Sequence, residues 1–246
     1  MSDSAKTALT TPQGSDFRIL PLGDSALILE FPDDERAPAR LRAAEAALAG
    51  AGFIDIVPAY RSLSVVFDPL TESDPEALLR KAATAEIAED SDARQWALPV
   101  SFAPEDGPDQ GFVCEETGLS RDALITALTE ARFTVRAIGF LPGFPFMGGL
   151  PETLHLPRRA DPRTKVPARS FAIAKAMAAI YPVESPGGWH LLGRAPFDLF
   201  DRNRKSPALL RTGDHVRIEA VTQEDAAQIQ RQIRSGTLSP ESFQCG

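Results

Sequence analysis

The sequence predicts an α+β protein with two domains, a mixed helix-and-strand domain followed by a compact β-barrel or sandwich. In the first hundred residues, short alternating apolar patterns take turns with two helical patterns rich in Ala and Leu. After Ala131, helical periodicity disappears for about ninety residues, and prolines and glycines separate short β-like runs. The acidic, turn-rich segment 104–108 (PEDGP) lies between these regions and predicts a domain boundary.

The elements of the first domain, residues 15–104, predict a ferredoxin-like arrangement. A loose tail is expected at residues 1–14, and Asp74 is expected to cap a helix that has Pro75 at its first position and continues through Ile87. If the first strand is an added edge, the order is β-α-β-β-α-β. The predicted elements are strands at 17–20 and 26–31, a helix at 38–49, strands at 53–57 and 63–67, the helix after Asp74, and a last strand at 96–102.

The second domain, residues 105–246, begins with two short helices and ends with one. The first is expected at 110–116, and the second begins at Ser120, a residue type that caps helix N-termini. Short strands are predicted between them and the final helix, which Thr222 is expected to cap. The strand-like runs are 170–174, 189–192 and 215–221.

Composition excludes several classes of protein. The formal charge of −8, from 34 acidic and 26 basic residues, makes nucleic acid a poor partner. No apolar run has the length of a signal peptide or a membrane span, and the two cysteines form no disulfide framework, so we expect a soluble cytoplasmic protein. The three histidines lack the spacing of metal ligands, so we expect no metal site.

The stretch Gly139–Leu150 (GFLPGFPFMGGL) is the first candidate for a binding segment. It places four glycines and two prolines among aromatic residues, which predicts an irregular backbone with its own apolar anchors. It is not a P-loop, because Gly-Lys-Ser/Thr is missing. A packed structural loop and a substrate-lining loop both remain open. The residues of interest are Gly143, Phe144, Gly148 and Gly149.

Three arginines follow on a proline-stiffened segment. Arg158, Arg159 and Arg163 carry the side chain best shaped to hold a carboxylate or phosphate with two hydrogen bonds. This pattern suits an anionic substrate. Solvated surface arginines near Asp161 are the alternative.

The segment 184–194 (ESPGGWHLLGR) combines a hydroxyl, two permissive glycines, an imidazole and a guanidinium. Gly187 and Gly188 would let backbone N–H groups approach a developing oxyanion, and His190 could transfer protons near neutral pH. The alternative is a half-buried structural histidine. The residues that this segment adds to the candidate site are Ser185, Gly187, Gly188, Trp189, His190 and Arg194.

These segments together resemble the family named for allophanate hydrolase subunit 1, which includes the B subunit of bacterial 5-oxoprolinase and the kinase inhibitor KipI. The resemblance spans nearly the whole chain and is densest at 138–150. Its other blocks are 23–26 (GDSA), 57–63 (VPAYRSL), 107–109 (GPD), 157–159 (PRR), 162–163 (PR), 166–168 (VPA), 180–182 (IYP), 185–190 (SPGGWH) and 213–214 (GD).

The resemblance implies a cyclophilin-like β-barrel as the second domain and an active site near the junction with a second allophanate-hydrolase-like subunit of the PxpC type. A PxpA-type subunit and ATP, handled through the complex, would complete an enzyme that opens 5-oxo-L-proline to glutamate. In such a site we expect His190, Arg159 and Arg194 to be catalytic, and the other residues named above to bind a small amide.

The sequence departs from the family in one place. After Val166-Pro-Ala168 the family usually continues with Gly-Ser, Ile-Ala-Gly and Gln-Thr-Gly, whereas this chain has Arg169, Lys175, Met177, Ala178 and Ala179 at the altered positions. Leu128 also replaces a histidine that many relatives have. A pocket lined by this stretch would be filled and less able to hydrogen-bond.

Two alternative functions therefore stay open. One is a non-catalytic inhibitor of a sensor histidine kinase in the manner of KipI. The other is a carboxyltransferase or allophanate hydrolase subunit of urea breakdown, which would need biotin carried on another protein because this chain has no Met-Lys-Met segment.

Overall fold

The structure is a computed structural model that describes residues 16–34, 36–72, 74–87 and 93–245. The chain divides into two compact units, Met1–Glu89 and Asp90–Gly246. The tail expected at residues 1–14 lies outside the described residues. In the described part of the chain, no helix is both long and apolar enough to cross a membrane.

The first unit is an antiparallel sheet of four strands with two helices. Asp74 caps α2 as predicted, since its carboxylate accepts a hydrogen bond from the Ala77 N–H, but the helix ends at Ala83, before Ile87. Leu29, Leu63 and Leu79 are buried in the core that the sheet and helices share. The elements are β1 (Arg18–Pro21), β2 (Ala26–Glu30), α1 (Ala37–Leu48), β3 (Asp55–Ala59), β4 (Ser62–Val66) and α2 (Pro75–Ala83), with sheet order β1-β2-β4-β3.

The second unit is built on a closed barrel of seven strands. The strands follow the order β12-β9-β10-β7-β6-β13-β5, and pairing of Arg194 with Ser101 closes β12 onto β5. This closed barrel is consistent with the cyclophilin-like barrel that the resemblance implies. The strands are β5 (Gln95–Ser101), β6 (Phe133–Ile138), β7 (Pro145–Gly148), β8 (Arg163–Val166), β9 (Ser170–Ala174), β10 (Met177–Ile180), β11 (Ser185–Gly187), β12 (His190–Arg194), β13 (His215–Val221) and β14 (Gln244–Cys245).

Helices flank the barrel, and β8 and β11 form a separate two-stranded sheet. The predicted caps of two helices are confirmed, because the Ser120 and Thr222 hydroxyls accept hydrogen bonds from N–H groups three residues later. Leu128, which replaces a family histidine, is fully buried in the barrel core. The helices are α3 (Gln110–Thr117), α4 (Arg121–Glu130) and α5 (Gln223–Arg234).

The assignment of one strand to the first domain was wrong. The alternation at residues 96–102 does mark a strand, but this strand is β5, which pairs in parallel with β13 over its full length and belongs to the barrel. All but the first of its residues are buried, which requires cover on both faces. The predicted boundary at 104 therefore lies inside the second unit. Because the ferredoxin-like order needs this strand, that part of the prediction is not confirmed.

Candidate functional site

Asp109 is the centre of the charged cluster in the second unit. It directly precedes α3 and is 4% exposed. Its Oδ1 accepts hydrogen bonds from Arg159 Nη1 at 3.0 Å and Arg163 Nη2 at 2.7 Å. Its Oδ2 accepts from Arg163 Nη1 at 2.9 Å and from the Leu191 N–H at 2.7 Å. One carboxylate thus joins α3, the arginine segment and strand β12.

Electrostatics favour the charged form of this carboxylate. Burial alone would raise the pKa of Asp109, but hydrogen bonds from Arg163 and the Leu191 N–H, with the charges of Arg163 and Arg159, hold that pKa below its ordinary value. Two of the three predicted arginines therefore pair with Asp109 rather than with Asp161. Their positions are fixed by a buried anion.

His190 begins β12 and is 2% exposed. Its Nε2 lies 2.8 Å from the Pro157 carbonyl oxygen, and its ring stacks on Phe112 with centroids 5.2 Å apart. A carbonyl only accepts hydrogen bonds, so Nε2 carries the proton and Nδ1 presents a lone pair. This Nδ1 is buried and has no hydrogen-bond partner among the described residues. The imidazole is therefore oriented to accept a proton at Nδ1.

A pocket of about 420 Å³ lies beside this histidine. Phe112 and Leu156 provide apolar walls, and Glu116, Arg158 and Asp161 provide charge. The size lies within the roughly 300–1,000 Å³ of small-molecule sites. Its lining residues are Phe112, Glu116, Leu156, Pro157, Arg158, Arg159, Ala160, Asp161 and His190.

Aromatic packing joins the glycine-rich stretch to the segment that carries His190. The ring of Phe144 lies 6.2 Å from Trp189 and 5.0 Å from Tyr181, both edge-to-face. Phe146 also packs on Trp189. Phe144 and Trp189 are 2% and 5% exposed, so both act as anchors of the scaffold and neither faces open solvent.

The glycines of the candidate site meet the surrounding chain closely. Gly149 has a φ of 97°, and a Cβ there would lie 2.2 Å from the Arg132 carbonyl oxygen. At Gly187 a Cβ would lie 2.3 Å from the Tyr181 hydroxyl, and burial raises the pKa of that hydroxyl to about 12. Gly143 has a φ of 73°. These glycines allow backbone geometry and tight packing that a side chain would block.

The remaining predicted residues occupy distinct surroundings. A Cβ on Gly148 would lie 3.0 Å from Arg136 Nε, and the Gly188 carbonyl accepts a hydrogen bond from the Arg159 N–H at 2.8 Å. The Ser185 hydroxyl is buried without a partner among the described residues. Arg194 lies at the opposite end of β12 from His190 and lines a different pocket.

The stretch that departs from the family has unusual backbone geometry. Arg169 and Lys175, which replace family glycines, have φ angles of 69° and 53°. These are left-handed conformations in which glycine is unstrained and other residues are not. Ala178 and Ala179 are fully buried in the core, and none of these four residues lines the His190 pocket.

Sequence reasoning missed Asp109, Phe112 and Tyr181. Asp109 closes the block Gly107-Pro-Asp109, which belongs to the family resemblance but carries no local signal of a role. The arginines that bind Asp109 are 50 and 54 positions away in the chain, so no local pattern reveals them. Within the described ranges, no group of three or more His, Cys, Asp or Glu side chains is placed to hold a metal ion.

Comparison with known proteins gives the family. The family described as carboxyltransferase domain, subdomain C and D, matches residues 17–210. The chain is 36% identical over 227 residues to the B subunit of 5-oxoprolinase from Bacillus subtilis, covering 85% of this chain and 95% of that protein. The corresponding 5-oxoprolinase B subunit from Haemophilus influenzae is 36% identical over 207 residues, covering 81% of this chain and 95% of that protein.

Solved structures agree on the fold. The crystal structure of TTHA0988 superposes with a TM-score of 0.70 at 37% identity, covering 80% of this chain, which spans only 40% of that protein's chain. The Kluyveromyces lactis urea amidolyase superposes with a TM-score of 0.73 over 93% of this chain and 16% of its own, and at 19% identity this similarity concerns the fold alone. The chain belongs to the family of carboxyltransferase domains, subdomain C and D.

Proposed function

We propose that this chain is the B-type subunit of a heteromeric ATP-dependent amidolyase that opens 5-oxo-L-proline to L-glutamate, as its relatives' name indicates. Its partners would be a PxpC-type and a PxpA-type subunit in the cytoplasm. The single observation that carries the proposal is the buried, lone-pair-bearing Nδ1 of His190 next to a pocket of small-molecule size.

The charges around the pocket suit a small amide with a carboxylate. Arg158 is exposed at the pocket, so its guanidinium is placed to meet an anionic group of a substrate. Arg159 and Arg163 are held by Asp109, and they contribute a positive field rather than direct contacts. Opening an amide builds negative charge on its oxygen, which such a field stabilises. His190 Nδ1 would accept the proton released in that step.

ATP would bind elsewhere in the complex, because this sequence has no Gly-Lys-Ser/Thr segment. The altered stretch, which is the reason for a non-catalytic alternative, does not line the His190 pocket. The inhibitor and carboxyltransferase alternatives therefore gain no support from the site.

Reconstitution with the partner subunits tests the proposal. We expect ATP-dependent formation of glutamate from 5-oxoproline that requires this chain. His190→Gln keeps a donor toward Pro157 but loses the proton acceptor, and we expect kcat to fall by about 10²–10⁴-fold without loss of complex assembly. His155→Gln, in a histidine that does not line the pocket, is the matched control and should retain activity. Full activity in the His190 variant, or no turnover in the complete complex, would refute the proposal.

A further inference from the structure

A second pocket in the barrel unit lies between strand β12 and helix α5. Its volume is about 160 Å³, and it is lined by two arginines, Arg169 and Arg194. None of its lining residues borders the His190 pocket. The remaining lining residues are Ser101, Asp106, Ala195, Pro196, Gln223, Ala226, Ala227 and Gln230.

Arg169 is held at this pocket by its backbone. Its N–H donates to the Tyr181 carbonyl at 2.6 Å, and its carbonyl accepts from the Ala195 N–H at 2.9 Å. These bonds fix the residue in its left-handed conformation, at a cost that glycine would not incur. The strained position thus presents a guanidinium whose side chain is only 18% exposed.

The positive charge at this pocket is only partly compensated. Arg169 pairs with Asp198 through a single 3.8 Å contact, and the Asp198 side chain is 66% exposed. The guanidinium of Arg194 makes no ion pair or hydrogen bond within the described part of the chain. Asp106, the acid that lines the pocket, accepts a hydrogen bond from the Ser101 hydroxyl at 2.7 Å. Burial, Arg194 and Arg234 lower the pKa of Arg169, which opposing carboxylates only partly offset.

We propose that Arg169 and Arg194 form a binding site for a small oxyanion, of the phosphate or carboxylate type, separate from the His190 pocket. Guanidinium groups bind such oxyanions through paired N–H donors. The Gln230 amide oxygen accepts from the Arg169 guanidinium, which orients that cation at the pocket and leaves the amide NH₂ as a further donor. The volume is below the roughly 300 Å³ of sites for larger organic ligands, which excludes a nucleotide.

Inorganic phosphate is the first probe, titrated by calorimetry into the full chain at constant ionic strength set with chloride. We expect saturable binding with one site. Arg169→Gly and Arg194→Gln should each weaken binding by at least about tenfold, which equals 1.4 kcal/mol. Arg169→Lys keeps the charge but loses the planar pair of donors, so it should bind with intermediate affinity.

Folding and specificity are controlled within the same set of variants. Arg169→Gly relieves the left-handed strain, so it should melt no lower than the wild type, and its loss of binding cannot be attributed to unfolding. Arg158→Gln, in the His190 pocket, should bind phosphate as the wild type does. Acetate and glutamate, tested as competitors, distinguish a carboxylate from a phosphate ligand, and displacement by either supports the oxyanion site. Absence of saturable binding of all three anions, unchanged affinity in Arg169→Gly and Arg194→Gln, or an equal loss in Arg158→Gln would overturn the proposal.

Discussion

Replacing Asp109 by Asn keeps the shape of the side chain but removes its charge, and it should destabilise the second unit strongly. Each carboxylate oxygen accepts two hydrogen bonds, so turning either oxygen into an NH₂ group places a donor against two donors. Hydrogen bonds to a charged group contribute about 1.5–3 kcal/mol each. Arg159 and Arg163 are 30% and 25% exposed and can recover water, which reduces the loss. We expect Asp109→Asn to lower the free energy of unfolding by about 3 kcal/mol, the lower end for breaking a buried ion pair.

Urea unfolding followed by tryptophan fluorescence measures this loss directly. The two tryptophans, Trp96 and Trp189, both lie in the second unit, so the signal reports that unit alone. Asp161→Asn is the matched control, an exposed acid near the same arginines, and it should change stability by less than about 0.5 kcal/mol. A loss below about 1 kcal/mol in Asp109→Asn would refute the account of Asp109 as the centre of the cluster.

The pH dependence gives an independent check. Because the pKa of Asp109 is lower in the folded chain than its ordinary 3.8, the carboxylate contributes stability that is complete above that value. This stability is lost as the pH falls through the lowered folded-state pKa. The wild type should therefore lose more stability than Asp109→Asn between neutral and strongly acidic pH. Parallel stability curves for the two proteins would contradict the assignment.

Three further predictions follow from the backbone and from Tyr181. Gly149→Ala places a Cβ against the Arg132 carbonyl at a φ of 97° and should cost about 2–4 kcal/mol in urea unfolding; an unchanged midpoint would contradict the close approach. Lys175→Gly removes left-handed strain at an exposed site and should raise the free energy of unfolding by about 0.5–1 kcal/mol, whereas a loss would show that the lysine side chain stabilises the turn. Tyr181 should ionise only near pH 12 in an absorbance titration, after Tyr60, and because the unfolded chain ionises from about pH 10, stability should fall as the pH rises above that value; a single step near 10 for both tyrosines would contradict the burial of this hydroxyl.

Local signals in the sequence predicted most elements of the second unit. The hydroxyl caps at Ser120 and Thr222 and the strand runs at 170–174 and 215–221 depend on neighbouring residues, and the structure confirms them. The fate of β5 could not be predicted in this way, because alternation shows that a strand exists but not which strand pairs with it. Its partner lies 120 positions later in the chain.

The candidate site shows the same division. The proximity of His190 to the arginine segment depends on the 2.8 Å contact with the Pro157 carbonyl, which joins residues 33 positions apart. The resemblance supplied the correct blocks, but the pairing of Arg159 and Arg163 with Asp109 needed coordinates. Glycine in the family at positions 169 and 175 is explained by the left-handed φ angles there, a cause that sequence comparison does not give.

The parallel pairing of β5 with β13 has a consequence for how the chain folds during synthesis. The strand that leads into the barrel is made early, but its long-range partner emerges only after more than a hundred further residues. Until then Trp96, Leu98 and Val100 have no barrel to enter, and contacts between such distant segments form slowly. The nascent barrel therefore exposes an apolar strand edge for most of its synthesis, which predicts a dependence on chaperones that the first unit, with its local sheet, does not share.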